Sequence, residues 1–450
     1  MPRFTAAPIE PGALTPRWEP LLPHPEQIRL INSPARFKVV PAGRRSGKTE
    51  RAKRNIIIQA LRESAEGRWL DYRYFAAAPT RDQAKAIFWA DLKALVPRYL
   101  LGGPIRESDL TIRLITGAEI VVVGLDRPQR IEGRAWNGCV IDEVANIRPG
   151  AWGENIRPAL ADRKGWAWLI GVPEGRGEYF DMYERAISGA DAEWDGFHWV
   201  SADILPPEEI ESARRNLDER VFQQEYEASF VTFEGRAYHA FERSQHTHQA
   251  LAYDPRAPLI VALDFNVEPG VAAIAQEQRL PNGLDGTAVI GEVFIPRNST
   301  TPAVCRRIVD DWGDHAGPVY LYGDATGGAR GSARVLGSDW DLVRAELRPV
   351  FSDRLAFHVP AANPAERARL NAMNSRLRSA SGEIRLMVDP VRAPHVVRDL
   401  EGVRLLEGGA GEIDKRADPK LTHISDALGY YIAKRFPIIV QTGGMVRWGV

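Results

Sequence analysis

Cysteine is nearly absent from this chain: Cys139 and Cys305 are the two in 450 residues. They lie far apart with no partners at metal-ligand spacing, which excludes a disulfide framework and a zinc ribbon and fits buried thiols in a reducing compartment. No apolar run reaches 18 residues, so no membrane-spanning helix is expected. The proline-rich stretch Met1–Pro25 also lacks the apolar centre of a signal peptide, and the expected setting is cytoplasmic. Excess charge is missing too, since 58 Lys and Arg against 59 Asp and Glu leave a net −1. Such a balance does not advertise a nucleic-acid binder, although basic residues gathered on one face can be cancelled by acids elsewhere. What remains, 44% hydrophobic and 26% charged residues, describes two or three soluble domains of ~150 residues each.

The chain is organised around Val39-Val40-Pro41-Ala42-Gly43-Arg44-Arg45-Ser46-Gly47-Lys48-Thr49-Glu50. A short apolar strand runs into a glycine-punctuated loop and then into a helical pattern from Glu50 to Leu61, the context a phosphate-binding loop requires. Backbone N–H groups from Gly43 to Gly47 would face the phosphates of ATP, aided by the positive end of the following helix. Lys48 would reach the β- and γ-phosphates, and Thr49 would place its hydroxyl on the accompanying Mg²⁺. The pattern G-x-x-x-x-G-K-[ST] has Gly where this chain has Ala42, with Gly43 next to it. Just upstream, Gln27 lies in a short helical pattern and is a candidate for reading the adenine edge, with a surface glutamine as the alternative.

Further along, Tyr72–Thr80 reads as a buried strand, Gln83–Val96 as an amphipathic helix, and Leu110–Leu114 with Glu119–Val123 as a hairpin. Gly138–Ile141 is a buried strand ending in Asp142-Glu143. Asp142 would hold the Mg²⁺ and Glu143 would orient or deprotonate the attacking water. Arg130, Arg134, Arg44 and Arg45 are the candidates for a charge-stabilising arginine, with plain solvation the alternative for each. The strand Trp166–Pro173 opens into the glycine-rich turn Glu174–Gly177, which is either a sensor of the γ-phosphate or simply a tight βα turn. Ser201–Phe241 is more charged and helical, as a lid or linker would be, and His246 and His248 read as polar linker residues.

A second domain begins with the apolar strand Pro258–Leu263 and Asp264. Strands at Val271–Ala275 and Ala288–Phe294 and a helix at Thr301–Trp312 follow, then a strand Val319–Gly323 closed by Asp324. A C-terminal helix near Leu421–Tyr431 carries His423 and Asp426, three apart and on one face. Two strand-end acids and one helix acid are the set with which a ribonuclease H-like sheet gathers two Mg²⁺ or Mn²⁺ ions. Glu292 and Asp389 are rival acids. Arg367, Arg369, Arg376 and Arg378, and Lys415, Arg416 and Lys420, are basic groups that could meet the phosphates of a polyanion; a solvated helix face is the alternative for the first group.

The combination Ala42–Thr49, Val140–Glu143, Gly171–Gly175 and Thr422–Ala427, with Asn363-Pro364, Arg369-Leu370-Asn371 and Ile384–Pro390, resembles the large terminase subunit of tailed bacteriophages over roughly Gln27–Phe436. The resemblance implies an α/β chain: an N-terminal P-loop ATPase with a central, mostly parallel sheet, then a ribonuclease H-like α/β nuclease domain. The expected boundaries are residues 1–200 with an irregular arm at 1–25, a lid or linker at 201–257, the nuclease domain at 258–436 and a tail at 437–450. It implies ATP-driven translocation of double-stranded DNA into a procapsid and metal-dependent cutting of concatemers. By the same resemblance Lys48 and Thr49 bind ATP and Mg²⁺, and Asp142 and Glu143 complete the hydrolytic site. Asp264, Asp324 and Asp426 hold the nuclease metals, with His423 as a helper. The implied partners are the portal protein, the small terminase subunit and other copies in a ring, a monomer in isolation being the alternative. The implied place is the host cytoplasm, transiently at the procapsid portal, and not the mature virion. The competing reading is a helicase-like or repair ATPase whose ribonuclease H-like domain binds DNA without cutting it.

Overall fold

The computed structural model describes Trp18 and residues 21–438, apart from 176, 232–234, 250, 266–267, 326–337, 407–410 and 416–420. Its described residues form two compact units, each built on its own sheet. One holds the chain up to Ile210 together with Gln223–Thr232; the other holds Glu211–Phe222 and the chain from Phe233 onward. The stretch expected as a lid or linker is thus shared between the two.

The first sheet has seven strands: β1 (Phe37–Pro41), β2 (Arg73–Ala78), β3 (Thr111–Arg113), β4 (Glu119–Gly124), β5 (Gly138–Ile141), β6 (Trp166–Gly171) and β7 (Trp194–Gly196). Their order is β3-β4-β2-β5-β6-β1-β7, and every pair is parallel except β3 with β4. The central strands are buried on both faces, which is why they read as unbroken apolar runs rather than alternating ones. The helix Lys48–Ala65 follows β1 directly and puts Ala52, Ile56, Ile57 and Ala60 into the core. The pattern read as one helix over 83–96 is a helical run from Arg81 to Leu95 with a π-turn at Lys85–Trp89. Its start is a full capping box between Thr80 and Gln83.

The second sheet has six strands: β8 (Leu259–Asp264), β9 (Gly270–Arg279), β10 (Asp285–Ile295), β11 (Val319–Gly323), β12 (Leu355–Phe357) and β13 (Leu386–Val388). The order is β12-β11-β8-β9-β10-β13, with β9 antiparallel to both its neighbours and the other pairs parallel. The helix His423–Arg435 packs across β8, β9 and β11 on one face, and the helices Thr301–Trp312 and Asp339–Phe351 pack together in the second core. This mixed sheet flanked by helices is the α/β arrangement expected for a ribonuclease H-like domain.

Both cysteines are buried and free. His246 corrects the reading of a polar linker residue: it is wholly buried, its Nδ1 lies 2.9 Å from Glu242 O and its Nε2 2.8 Å from Leu377 O. The basic helix Glu366–Leu377 is corrected as well, since Arg369 and Arg376 are buried and bonded within the unit rather than displayed to a phosphate backbone. Arg416 and Lys420, like the tail beyond 438, lie outside the described residues.

Candidate active sites

The phosphate loop hangs between β1 and the helix Lys48–Ala65, as the sequence pattern requires. Ala42 still belongs to the sheet: its N–H donates to Gly171 O at 3.0 Å, and it bridges to Trp199. Gly43 is the position without room, because a Cβ there would stand 2.4 Å from Ser201 Oγ, 2.5 Å from Ser201 N and 2.6 Å from Tyr226 O. The glycine stands one place along from the usual pattern, where another part of the chain lies on the loop. Ser201 Oγ donates to Arg44 O at 2.7 Å, Arg44 N donates to Glu225 O at 2.6 Å, and the Arg44 guanidinium pairs with the Glu225 carboxylate at 2.8 Å.

Lys48 is buried and its Nζ donates to Ala42 O and Gly43 O, both at 3.1 Å. Burial pushes its ammonium below the usual lysine value, opposed by Asp142, Glu225 and Glu143. Thr49 Oγ1 donates to Asp142 Oδ2 at 2.6 Å, so the two residues expected to share one Mg²⁺ already touch. Glu143 follows in a left-handed conformation, φ 55, that a glutamate adopts only when its surroundings hold it there. Burial, and next Asp142, raise its carboxyl, while Arg44 and Lys48 oppose the rise. Ser46 Oγ is fully buried with no hydrogen-bond partner among the described residues, an unspent donor within the cradle. Gln27 is buried, not a surface residue: its amide nitrogen donates to Ser46 O at 2.9 Å and its oxygen accepts from Arg51 Nε at 2.7 Å. It braces the loop beside Trp199, whose Nε1 also donates to Ser46 O.

Of the other candidate arginines, Arg45 lies in the loop itself at φ 56, while Arg130 and Arg134 are not gathered here. Arg134 is exposed and makes no hydrogen bond or ion pair with a described residue, while Arg130 lines a separate cavity of about 420 Å³ with Arg81, Ser108 and Asp109. The turn after β6 contains Gly175 at φ 62; Arg176 is outside the described residues.

In the second unit the strand register brings two predicted acids together. Leu263 of β8 pairs with Gly323 of β11, so Asp264 and Asp324 are equivalent positions at the same ends of adjacent parallel strands. Asp426 joins them from the helix His423–Arg435. Burial raises the Tyr430 phenol; Arg369 opposes the rise, and the charges of Asp264, Asp324 and Asp426 all add to it. The Asp426 carboxyl is pushed up to about 6 by burial, opposed by Arg369 and reinforced by Asp264.

Each acid also meets a protein donor. His423 Nδ1 lies 3.4 Å from Asp264 Oδ2, Asn363 Nδ2 donates to Asp324 Oδ1 at 2.7 Å, and Arg369 Nη2 donates to Asp426 Oδ1 at 2.6 Å. Three carboxylates are the donor type a hard divalent cation takes, although among the described residues no set of three His, Cys, Asp or Glu side chains has the spacing of a closed metal cage. The rival acids have other work. Glu292 accepts the N–H groups of His395 and Val396 at the start of the helix Pro394–Gly402, and Asp389 accepts from Val391 N and Arg392 N. Thr422, at φ 86, holds the turn into the acid-bearing helix. Sequence reading missed Asn363 and Arg369 as partners of the acids, and Ser201, Glu225 and Tyr226 as the outer wall of the phosphate loop. Asn363 and Arg369 stand in the segments that carry the family resemblance, which is the signal that could have singled them out.

No family model matches the chain. Among characterised sequences it is 26% identical over 277 residues to the large terminase subunit of Thermus phage G20c, covering 54% of this chain and 55% of that protein. It is 26% identical over 238 residues to that of Escherichia phage T5, covering 51% and 52%. The chain is a relative of the phage large terminases. It spans about half the length of the curated relatives it matches. Among solved structures, the large terminase of a thermophilic bacteriophage in complex with ADP superposes with a TM-score of 0.56 at 15% identity, covering 91% of this chain and 98% of that one. The same protein with ATP-γ-S gives 0.56 at 16%, covering 92% and 99%. This terminase relative therefore shares a large-terminase fold across both of its units.

Proposed function

We propose that this chain is the ATP-driven motor and nuclease of a phage DNA-packaging machine. The observation that carries the motor half is the Thr49–Asp142 contact beside a buried Lys48, in a relative of the large terminases. Lys48 and the loop N–H groups bind the triphosphate of ATP, and Gln27 fixes the loop from behind. Mg²⁺ arriving with the nucleotide would be held by Thr49 and Asp142 and would neutralise phosphate charge. Glu143, with its raised carboxyl, takes the proton of the attacking water.

In the nuclease half, Asp264, Asp324 and Asp426 would hold divalent ions, Mg²⁺ or Mn²⁺, which would activate water and stabilise the leaving oxygen of a phosphodiester. His423 and Asn363 orient two of those acids. The substrate is double-stranded DNA gripped through phosphates without a base code. The partners are the portal protein, the small terminase subunit and further copies of the chain in a ring. The setting is the host cytoplasm at the procapsid portal.

The test is ATP turnover and plasmid cleavage by the purified chain with Mg²⁺, Mn²⁺ or EDTA, beside Glu143→Gln and Asp324→Ala. Metal-dependent cutting lost in Asp324→Ala, with turnover lost only in Glu143→Gln, supports the proposal. Absence of cutting by the intact chain in either metal would leave an ATPase with a non-cutting DNA-binding domain.

A further inference from the structure

Arg369 is placed with more care than a surface counter-ion would need. Its side chain and that of Asp426 are 6% and 9% exposed. The stem crosses the helix His423–Arg435 at Gly429, where a Cβ would stand 2.8 Å from both Cγ and Cδ of Arg369. A glycine within a helix weakens it relative to alanine, so this position gives up helix stability where the arginine passes. The guanidinium then lies 4.7 Å from the Tyr430 ring centroid and donates to Asp426 Oδ1. Its Nε has no partner among the described residues, so the head group is aimed at the acid at the expense of a hydrogen bond. The other charges that act on Asp426 are Asp264, Glu366 and Lys415, the last two paired with each other at 3.2 Å.

We propose that Arg369 is a positioning residue that holds one oxygen of Asp426 and thereby weakens the affinity of the three-acid site for divalent cations while fixing the orientation of its third acid. The inference rests on the nuclease reading of Asp264, Asp324 and Asp426. A wedged stem and a stacked head group make Arg369 a standing competitor for the cation, not a side chain in free exchange with solvent. The nuclease half then fills with metal only at high free concentration, a restraint suited to a protein that must move DNA for long stretches without cutting it.

The test uses the full chain and Mn²⁺ alone as probe, with binding read by titration calorimetry and by the electron paramagnetic resonance of free Mn²⁺. The pH is kept well above the carboxylate range, and folding is checked by circular dichroism. Arg369→Gln is expected to bind Mn²⁺ about tenfold more tightly, the size of effect from removing one positive charge ~5 Å from a dication even in a water-like dielectric. At saturating Mn²⁺ it is expected to cut plasmid more slowly, because the acid is no longer held. Arg369→Lys keeps the charge without the planar fork and is expected to fall between the two. If Arg369→Gln does not fold, Gly429→Ala replaces it: the added methyl pushes the stem aside and should also tighten Mn²⁺ binding. Equal or weaker binding in the folded variants overturns the inference alone. Absence of Mn²⁺ binding in the intact chain and in every variant overturns the nuclease reading and the inference with it.

Discussion

Replacing Gly43 by alanine should damage the phosphate loop more than replacing Ala42 by glycine, although the usual loop pattern has its glycine at the latter position. The Gly43 methyl would meet Ser201 N and Tyr226 O at 2.5 and 2.6 Å, both backbone atoms that cannot rotate away. Overpacking of this kind costs about 1–3 kcal/mol. Displacing Ser201 also breaks the bonds Ser201 Oγ to Arg44 O and Ser201 N to Tyr226 O, each contributing about 0.5–1.5 kcal/mol. A loss of roughly 2–6 kcal/mol follows from these two sources. Ala42→Gly removes one buried methyl, about 0.8 kcal/mol, and adds backbone freedom to the unfolded chain, about 0.5–1 kcal/mol, for a total of roughly 1–2 kcal/mol. The double variant, which restores the usual spacing in sequence, should be the least stable of the three. Urea unfolding followed by tryptophan fluorescence measures this, since Trp199 donates to the loop at Ser46 O and reports the state of that unit. Gly43→Ala at or above wild-type stability, with Ala42→Gly the more damaging, would refute the reasoning; a glycine replaced where its conformation suits alanine gains about 0.4–1 kcal/mol.

Glu143→Gln should retain ATP binding and lose at least ~10²-fold in turnover, the usual contribution of a positioned base; steady-state hydrolysis beside nucleotide binding separates the two. His246→Ala should destabilise the second unit by about 2–4 kcal/mol, because it empties a buried site and leaves Leu377 O without its donor, as denaturant unfolding would report. Asp399, buried and accepting from Ser425 N and Oγ, has its carboxyl pushed up to about 6 by burial. The folded chain therefore holds this proton more tightly than the unfolded chain, whose value is ~3.9. That contribution is fully present below about pH 4 and is lost as pH rises through about 6, a change of about 3 kcal/mol. The stability difference between wild type and Asp399→Asn should shift in this direction across that window, and a difference that stays flat with pH would exclude the assigned shift.

The strands and their ends are legible in the sequence because burial on both faces writes a strand as an apolar run, and the acids stand where those runs stop. Asp142, Asp264 and Asp324 are read this way, and the register of β8 with β11 brings the last two side by side. The partners are not legible, because pairing across long separations leaves no local pattern. Arg369 and Asp426 are 57 residues apart, and Arg44 and Glu225 are 181 apart. A basic helix looks the same in sequence whether its arginines face solvent or a buried acid, and for this reason Arg369 and Arg376 stand among the candidate DNA contacts. Gln27 shows the same blindness: its burial depends on Ser46 and Arg51, which sequence spacing alone does not bring to it.

The wall that Ser201, Glu225 and Tyr226 build against the phosphate loop has a consequence for how the chain can be divided. Glu225 and Tyr226 come after residues 211–222, which belong to the other unit. On the ribosome, the loop emerges about 181 residues before Glu225, one of its last supports, and must wait for it. A fragment cut at the natural-looking break near Ile210 would keep every residue of the phosphate-loop pattern and still lack the carboxylate that pairs with Arg44. A fragment that keeps this wall on the phosphate loop must therefore extend past Tyr226 and carry with it a short piece of its neighbour.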